Sequence, residues 1–169
     1  MLEHQTLAQF LAEWSADHEQ RLAVTRTVTA IADACCAIAE VIALGALAGR
    51  PGAHGGAGTG TDCEVGESAG GDSGISLGRR AAALLTQELQ AAPVACMAAE
   101  DCDLPSGFDA RAPLCVAVAP LDGGSNVDTN VAVGTIFSIL PMTCGECRPS
   151  RSCFVRNGRR QLAAGYVIY

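Results

Sequence analysis

The chain has 169 residues, 49% hydrophobic but only 4% aromatic, enough for one domain whose core must be built from Ala, Val, Leu and Ile. A formal net charge of -7 argues against a nucleic-acid partner, because a phosphate backbone demands clustered Lys and Arg. Nine cysteines is an odd number and residues 1–9 hold no basic region followed by an apolar run, so reduced thiols in a cytoplasmic protein are expected rather than a secreted disulfide framework.

In chain order, Leu7, Phe10, Leu11 and Trp14 recur at helical spacing behind Thr6, a residue able to cap the first turn. A longer helix follows. Leu22, Thr25, Val28, Ala32, Cys35 and Ile38 recur at threes and fours, and the pattern runs to about Leu47 before Gly49 and Pro51 stop it. Its most apolar stretch, residues 34–48, is flanked by Asp33 and broken by Glu40 and is too short for a bilayer, so no membrane partner is expected. Residues 52–78 read as a flexible loop, dominated by Gly, Ala, Ser and Thr as far as Gly74. A helix returns over 79–90, with Leu84, Leu85 and Leu89 on one side, and Pro93 ends it. The apolar runs 94–97, 114–118 and 131–140 read as strands, and 159–169 as a final helix. Helices alternating with buried strands predict a layered α/β domain.

Two of these strands deliver carboxylates. Glu100 and Asp101 follow the run ending at Met97, and Asp122 follows the run ending at Val118. Acids at the carboxyl ends of neighbouring strands stand where open α/β sheets bind ligands. Hard oxygen donors of this kind suit Mg²⁺, with Mn²⁺ a second candidate. The bland alternative is a pair of solvated turn acids. The turn after Asp122 favours the site: Gly123, Gly124, Ser125 and Asn126 combine bare backbone N–H groups with a hydroxyl and an amide, a composition suited to an anion nest. An acid for a metal followed at once by amides for a phosphate is what phosphate-ester hydrolysis requires.

Other signals lead elsewhere. Cys144, Cys147 and Cys153 lack a fourth zinc ligand nearby, and Cys35 falls on the apolar stripe of its helix. Gly55 to Gly58 is not followed by Gly-Lys-Ser/Thr, so it is no P-loop, and no Gly-x-Ser-x-Gly elbow occurs.

Val118-Ala119-Pro120-Leu121-Asp122-Gly123-Gly124-Ser125-Asn126-Val127-Asp128, followed by Gly134-Thr135-Ile136-Phe137, closely resembles the signature of class I fructose-1,6-bisphosphatases, Asp-Pro-Leu-Asp-Gly-Ser-Ser-Asn-Ile-Asp…Gly-Thr-Ile-Phe. Ala99-Glu100-Asp101 is similar to the family's Ser-Glu-Glu, and 161–169 to the segment that follows the signature, expected to be a helix. The resemblance implies the N-terminal half of a sugar-phosphatase sandwich over residues 1–169, with the second half, which supplies a further metal-ligating Glu and most of the sugar pocket, lying outside this sequence. It implies Mg²⁺-dependent hydrolysis of the 1-phosphate of fructose 1,6-bisphosphate, in gluconeogenesis or the Calvin cycle, and a homo-oligomer, a tetramer in the family. By resemblance Glu100 and Asp122 ligate metal, as does the carbonyl of Leu121. Asp101 stands near the nucleophilic water, Asp72 is an acid of the mobile loop, and Gly123, Gly124, Ser125 and Asn126 hold the phosphate. The signature's first Asp is here Ala119, the loop's second acid is Gly78, and one Ser of the turn is Gly124. These departures imply a reduced ligand set. They leave open a phosphate-binding relic without turnover, or a related inositol or nucleotide phosphatase.

Overall fold

The computed structural model describes residues 5–44, 72–100, 102, 105–124, 126, 132–142 and 150–169, with side chains from residue 77 onward in the second of these segments. Its elements are α1 (Leu7–Ser15), α2 (Glu19–Ala43), α3 (Asp72–Leu89), β1 (Val94–Ala99), β2 (Ser106–Gly107), β3 (Leu114–Asp122), β4 (Gly134–Pro141) and β5 (Ala163–Ile168). The expected α/β architecture is present: the strands form one mixed sheet in the order β2-β1-β3-β4-β5.

The helices arise as local chemistry dictates. Thr6 caps α1 in a capping box with Gln9, which satisfies two otherwise orphaned amide donors. The imidazole Nδ1 of His18 accepts from the Arg21 amide at the start of α2, and the Arg21 guanidinium lies 5.3 Å from the Trp14 ring centroid, pinning the α1–α2 corner. The buried stripe of α2 is Val24, Thr27, Ile31, Ala34, Cys35 and Ile38. It joins the expected stripe only at Cys35 and Ile38, because the Ala-rich sequence offers several faces of nearly equal apolarity. Helix α2 is long and apolar enough, by length and composition alone, to cross a membrane. Here that apolarity faces α3 and the sheet. Ala81, Leu85 and Leu89 of α3 complete this layer.

Two expectations are corrected. First, the loop predicted over 52–78 cannot be a loop throughout, because α3 already begins at Asp72; residues 45–71 lie outside the described set. Ser73, Gly74, Ser76 and Gly78 are poor helix formers, but the packed turn from Ala81 onward carries the helix back through them. Second, the final helix predicted over 159–169 does not exist. A short 3-10 turn at Gly158–Arg160 leads into β5, which pairs antiparallel with β4 from Ile139↔Ala163 to Gly134↔Ile168. The burial of β5 alternates residue by residue, a period of two, and Tyr166, Val167 and Ile168 favour a pleated surface.

Helices cover one face of the sheet. Met97, Ala99, Leu114, Val116, Val118, Phe137 and Ile139 point into that layer. The parallel β1–β3 pair runs in register to Ala99↔Val118, so both strands end at the same edge of the sheet. Two glycines set the fit of β4 against β5. Phe137 pairs with Gly165, and a Cβ on that glycine would stand 2.7 Å from the Phe137 ring. A Cβ on Gly134 would run into the carbonyl oxygen of Val167. Gly134→Ala is therefore expected to destabilise the fold by about 1–3 kcal/mol, the usual range for overpacking, while Gly158→Ala, with open space around it, serves as a neutral control. Urea midpoints measure both, and an unshifted midpoint for Gly134→Ala would deny the close β4–β5 approach.

Candidate phosphate and metal site

Past Ala99 and at the end of β3 the chain delivers Glu100 and Asp122, both exposed. The Glu100 amide donates to the Val118 carbonyl at 3.1 Å, which continues the β1–β3 ladder one step beyond the strand. Both carboxylate residues border one open groove of ≈ 840 Å³ on the sheet face away from the helices. Its floor includes Ala98, Ala117 and Ala119, with Ile136, Ser138, Ala164 and Tyr166 alongside. Strict alternation would put residue 122 on the opposite face from 117 and 119. A β-bulge between Ala119 and Asp122 resets the register against β4, so all three meet the same groove.

The turn that follows is set by backbone geometry. Gly123 has φ +73°, and a Cβ there would lie 3.1 Å from the Ala132 carbonyl oxygen and 3.3 Å from Nδ2 of Asn126. The Asn126 amide donates to the Gly123 carbonyl at 2.8 Å, closing a tight turn through Gly124. Leu121 is half-buried against the helix-side core.

A buried hydroxyl anchors this strand end, and it went unassigned in the sequence. Thr135, wholly buried on β4, donates to the carbonyl of Pro120 within the bulge at 2.8 Å. With its proton committed there, it must accept from the Tyr169 hydroxyl, 2.6 Å away. Burial, and then the adjacent Cys35 thiol, push the Tyr169 phenol above the usual tyrosine range, against a smaller opposing effect of Thr135. The clue in the sequence was a hydroxyl on the helix-facing side of a largely apolar strand. A second polar tie, Gln161 Nε2 to Ser138 Oγ at 2.7 Å, spans β4 and the start of β5 beside the groove.

Of the residues expected at the site, Glu100, Asp122, Gly123, Gly124 and Asn126 are gathered at the ends of β1 and β3, with the Leu121 carbonyl beside them in the chain. Asp101 and Ser125 lie outside the described residues, as do Cys144 and Cys147. Asp72 is the first residue of α3, and its side chain is likewise outside the described set. Among the described residues no three of His, Cys, Asp and Glu converge on a metal-sized site. Two carboxylates at one groove end, with no basic side chain lining that groove, fit a hard divalent cation whose remaining ligands are water and phosphate. Ala119 sits on the floor beside Glu100, so the ligand that the resemblance places at 119 would have entered this same space.

Thr135→Val keeps the shape of the buried site but orphans the Pro120 carbonyl and takes one partner from the Tyr169 hydroxyl, so a loss of about 1–3 kcal/mol is expected in urea unfolding. The raised Tyr169 phenol adds a pH signature. Its contribution is fully present below the ordinary tyrosine value of about 10 and is lost as pH rises through the folded value. Tyr169→Phe should flatten that part of the alkaline stability profile; a profile unchanged by the substitution would remove Tyr169 from the network.

Comparison with known proteins identifies the family. Residues 5–169 match the family described as fructose-1-6-bisphosphatase, N-terminal domain. A class 1 fructose-1,6-bisphosphatase of Xanthobacter autotrophicus is 40% identical over 169 residues, covering 97% of this chain and 42% of that protein. One of Rhodopseudomonas palustris strain BisB5 is 42% identical over 165 residues, covering 98% of this chain and 44% of its own length. The chain thus spans less than half the length of these relatives. The Leishmania major fructose-1,6-bisphosphatase in holo form superposes with a TM-score of 0.74 at 20% identity, over 98% of this chain and 48% of that one, a likeness of fold.

Proposed function

The chain belongs to the fructose-1,6-bisphosphatase family, and from that membership we propose that it carries the metal- and phosphate-binding half of an enzyme hydrolysing the 1-phosphate of fructose 1,6-bisphosphate. The family is metal-dependent and acts on a sugar bisphosphate; Mg²⁺, the cytoplasm and a homo-oligomeric enzyme belong to the proposal. The observation that carries it is the meeting of Glu100 and Asp122 on one groove, with the Gly123–Asn126 turn directly behind Asp122.

In this reading Glu100, Asp122 and the Leu121 carbonyl would hold the cation. When bound, the cation neutralises charge on the phosphoryl and leaving oxygens. The turn's task is to orient the phosphate. The left-handed conformation of Gly123 shapes the turn so that the Gly124 amide can face an anion, with the Asn126 side-chain amide beside it. By the resemblance, Asp101 would stand near the attacking water and Asp72 would be an acid of the family's mobile loop. The alanine floor under the groove leaves room for the ester to approach the strand ends.

A second reading, binding of phosphate without turnover, is favoured by one feature: the groove floor beside Glu100 is the methyl group of Ala119 rather than a carboxylate. Gly78 strengthens it, since no acid stands at that position of α3. The space there is open, and a Cβ on Gly78 would meet nothing within 4 Å.

Release of inorganic phosphate from fructose 1,6-bisphosphate with Mg²⁺, measured on the protein and on an Asp122→Ala variant, decides between the two readings. Slow turnover that Asp122→Ala abolishes supports the enzyme; metal-dependent binding of phosphate with no release above the variant supports the module. Separately, calorimetric titration with Mn²⁺ is expected to show affinity falling at least about tenfold for Glu100→Ala or Asp122→Ala and rising by a similar factor for Ala119→Asp. Affinity indifferent to all three would dissociate the groove from the metal.

A further inference from the structure

The groove face of the sheet ends, away from the carboxylates, in sulfur. Cys96 of β1 and Cys115 of β3 are register partners on neighbouring parallel strands, and both are wholly buried. The Cys96 thiol donates to Cys115 Sγ at 3.6 Å, and the Cys115 thiol donates to Met142 Sδ at 3.1 Å. Together with Cys153, also wholly buried, these thiols form an apolar cluster distinct from the main core, closed by the half-buried Met142 and Phe154. Cys153 rides on the 3-10 turn Arg151–Cys153, which Arg156 holds through a 2.8 Å bond from its Nε to the Cys153 carbonyl. Nothing in the proposed phosphatase chemistry uses this cluster.

We propose that Cys96, Cys115 and Met142 form a three-sulfur site for a soft monovalent cation, Cu(I). The donor set selects the ion. Zinc takes four Cys, His or carboxylate ligands; this buried cluster holds three thiols and no His or carboxylate, and the sulfur that accepts from Cys115 is the thioether of Met142. Thiolate and thioether together are ligands of Cu(I), whereas Mg²⁺ and Mn²⁺ belong with the oxygens at the other end of the sheet. Strand pairing holds Cys96 and Cys115, and the Met142 amide, donating to the Pro113 carbonyl at 2.7 Å, holds the third sulfur beside them, so the site is assembled before the ion arrives. Binding is ligand exchange without a change of oxidation state: Cu(I) leaves its carrier, forms bonds to the two thiolates and the thioether, and the two thiol protons pass to solvent. Two thiolates and one Cu(I) leave a net charge of -1; the hydrogen bond from Cys96, and then Arg156, favour the Cys115 thiolate against burial, while the same bond and burial hold the proton on Cys96, so the ion itself must displace that second proton. The half-buried thioether gives the ion a route in from solvent.

Because the chain has nine cysteines, the test reads differences between variants. The whole chain is titrated anaerobically against Cu(I) held by a chromogenic chelator. The wild type should withdraw one tightly held equivalent that Cys115→Ser lacks. Met142→Leu, a volume-conserving change at a partly exposed residue, should keep that equivalent but bind it at least about tenfold more weakly. Cys36→Ser, at an exposed thiol of α2, should behave as wild type. The proposal is overturned if Cys115→Ser and the wild type take the same copper with the same affinity, or if Met142→Leu binds as tightly as the wild type. The Met142→Leu result stands by itself should Cys115→Ser fail to fold.

Discussion

Everything at the candidate site depends on the parallel pairing of β1 with β3. Parallel strands share a direction, so a register that aligns Ala99 with Val118 brings both carboxyl ends to one edge of the sheet. Glu100 and Asp122 are far apart in sequence and meet only because of that alignment. The same pairing sets Cys96 beside Cys115 near the opposite end. One ladder thus generates a hard, oxygen-bearing end and a soft, sulfur-bearing end on a single sheet face. Hydrophobic burial against α2 and α3 keeps the ladder in place, because Met97, Ala99, Leu114, Val116 and Val118 would all turn outward if the register slipped by one residue.

Pairing alone would have aimed Asp122 at the helices. The bulge between Ala119 and Asp122 turns it to the groove, and a bulge needs its backbone groups satisfied. Thr135 does this from the neighbouring strand, backed by Tyr169 from beyond β5. The arrangement explains why the recognisable stretch of sequence extends past the phosphate turn into Gly134-Thr135-Ile136-Phe137. Gly134 allows β5 to approach, Thr135 holds the bulge, and Phe137 covers the missing side chain of Gly165. These residues touch no substrate in the proposed reading, and their chemistry is that of support.

The groove face is also where apolar surface is left to solvent. Ile136, Tyr166 and Ile168 are 48%, 73% and 64% exposed, at alternate positions of β4 and β5. Small residues below and large ones at the side give the groove its depth. Its polar character comes from one end, so charge recognition and apolar contact are separated along the sheet by a few residues of strand.

By itself the sequence determined the layered α/β class, the Thr6 cap, the strands leading to Glu100 and Asp122, and the glycine turn between them and Asn126. Each of these is a local matter of period, capping or turn chemistry, or a signature compact enough to read directly. The tertiary structure decided what depends on partners. Residues 163–168, Ala-rich and apolar, became a strand because β4 offered a free edge and Gly165 an opening for Phe137. Residues 72–78 became helix because the packed turn that follows could extend through weak formers. Thr135 acquired its role only when a bulge placed the Pro120 carbonyl within reach, and the cysteines at 96 and 115 became neighbours only when two strands chose their register. In every case the deciding energy is a contact between segments distant in the chain, which no local pattern records.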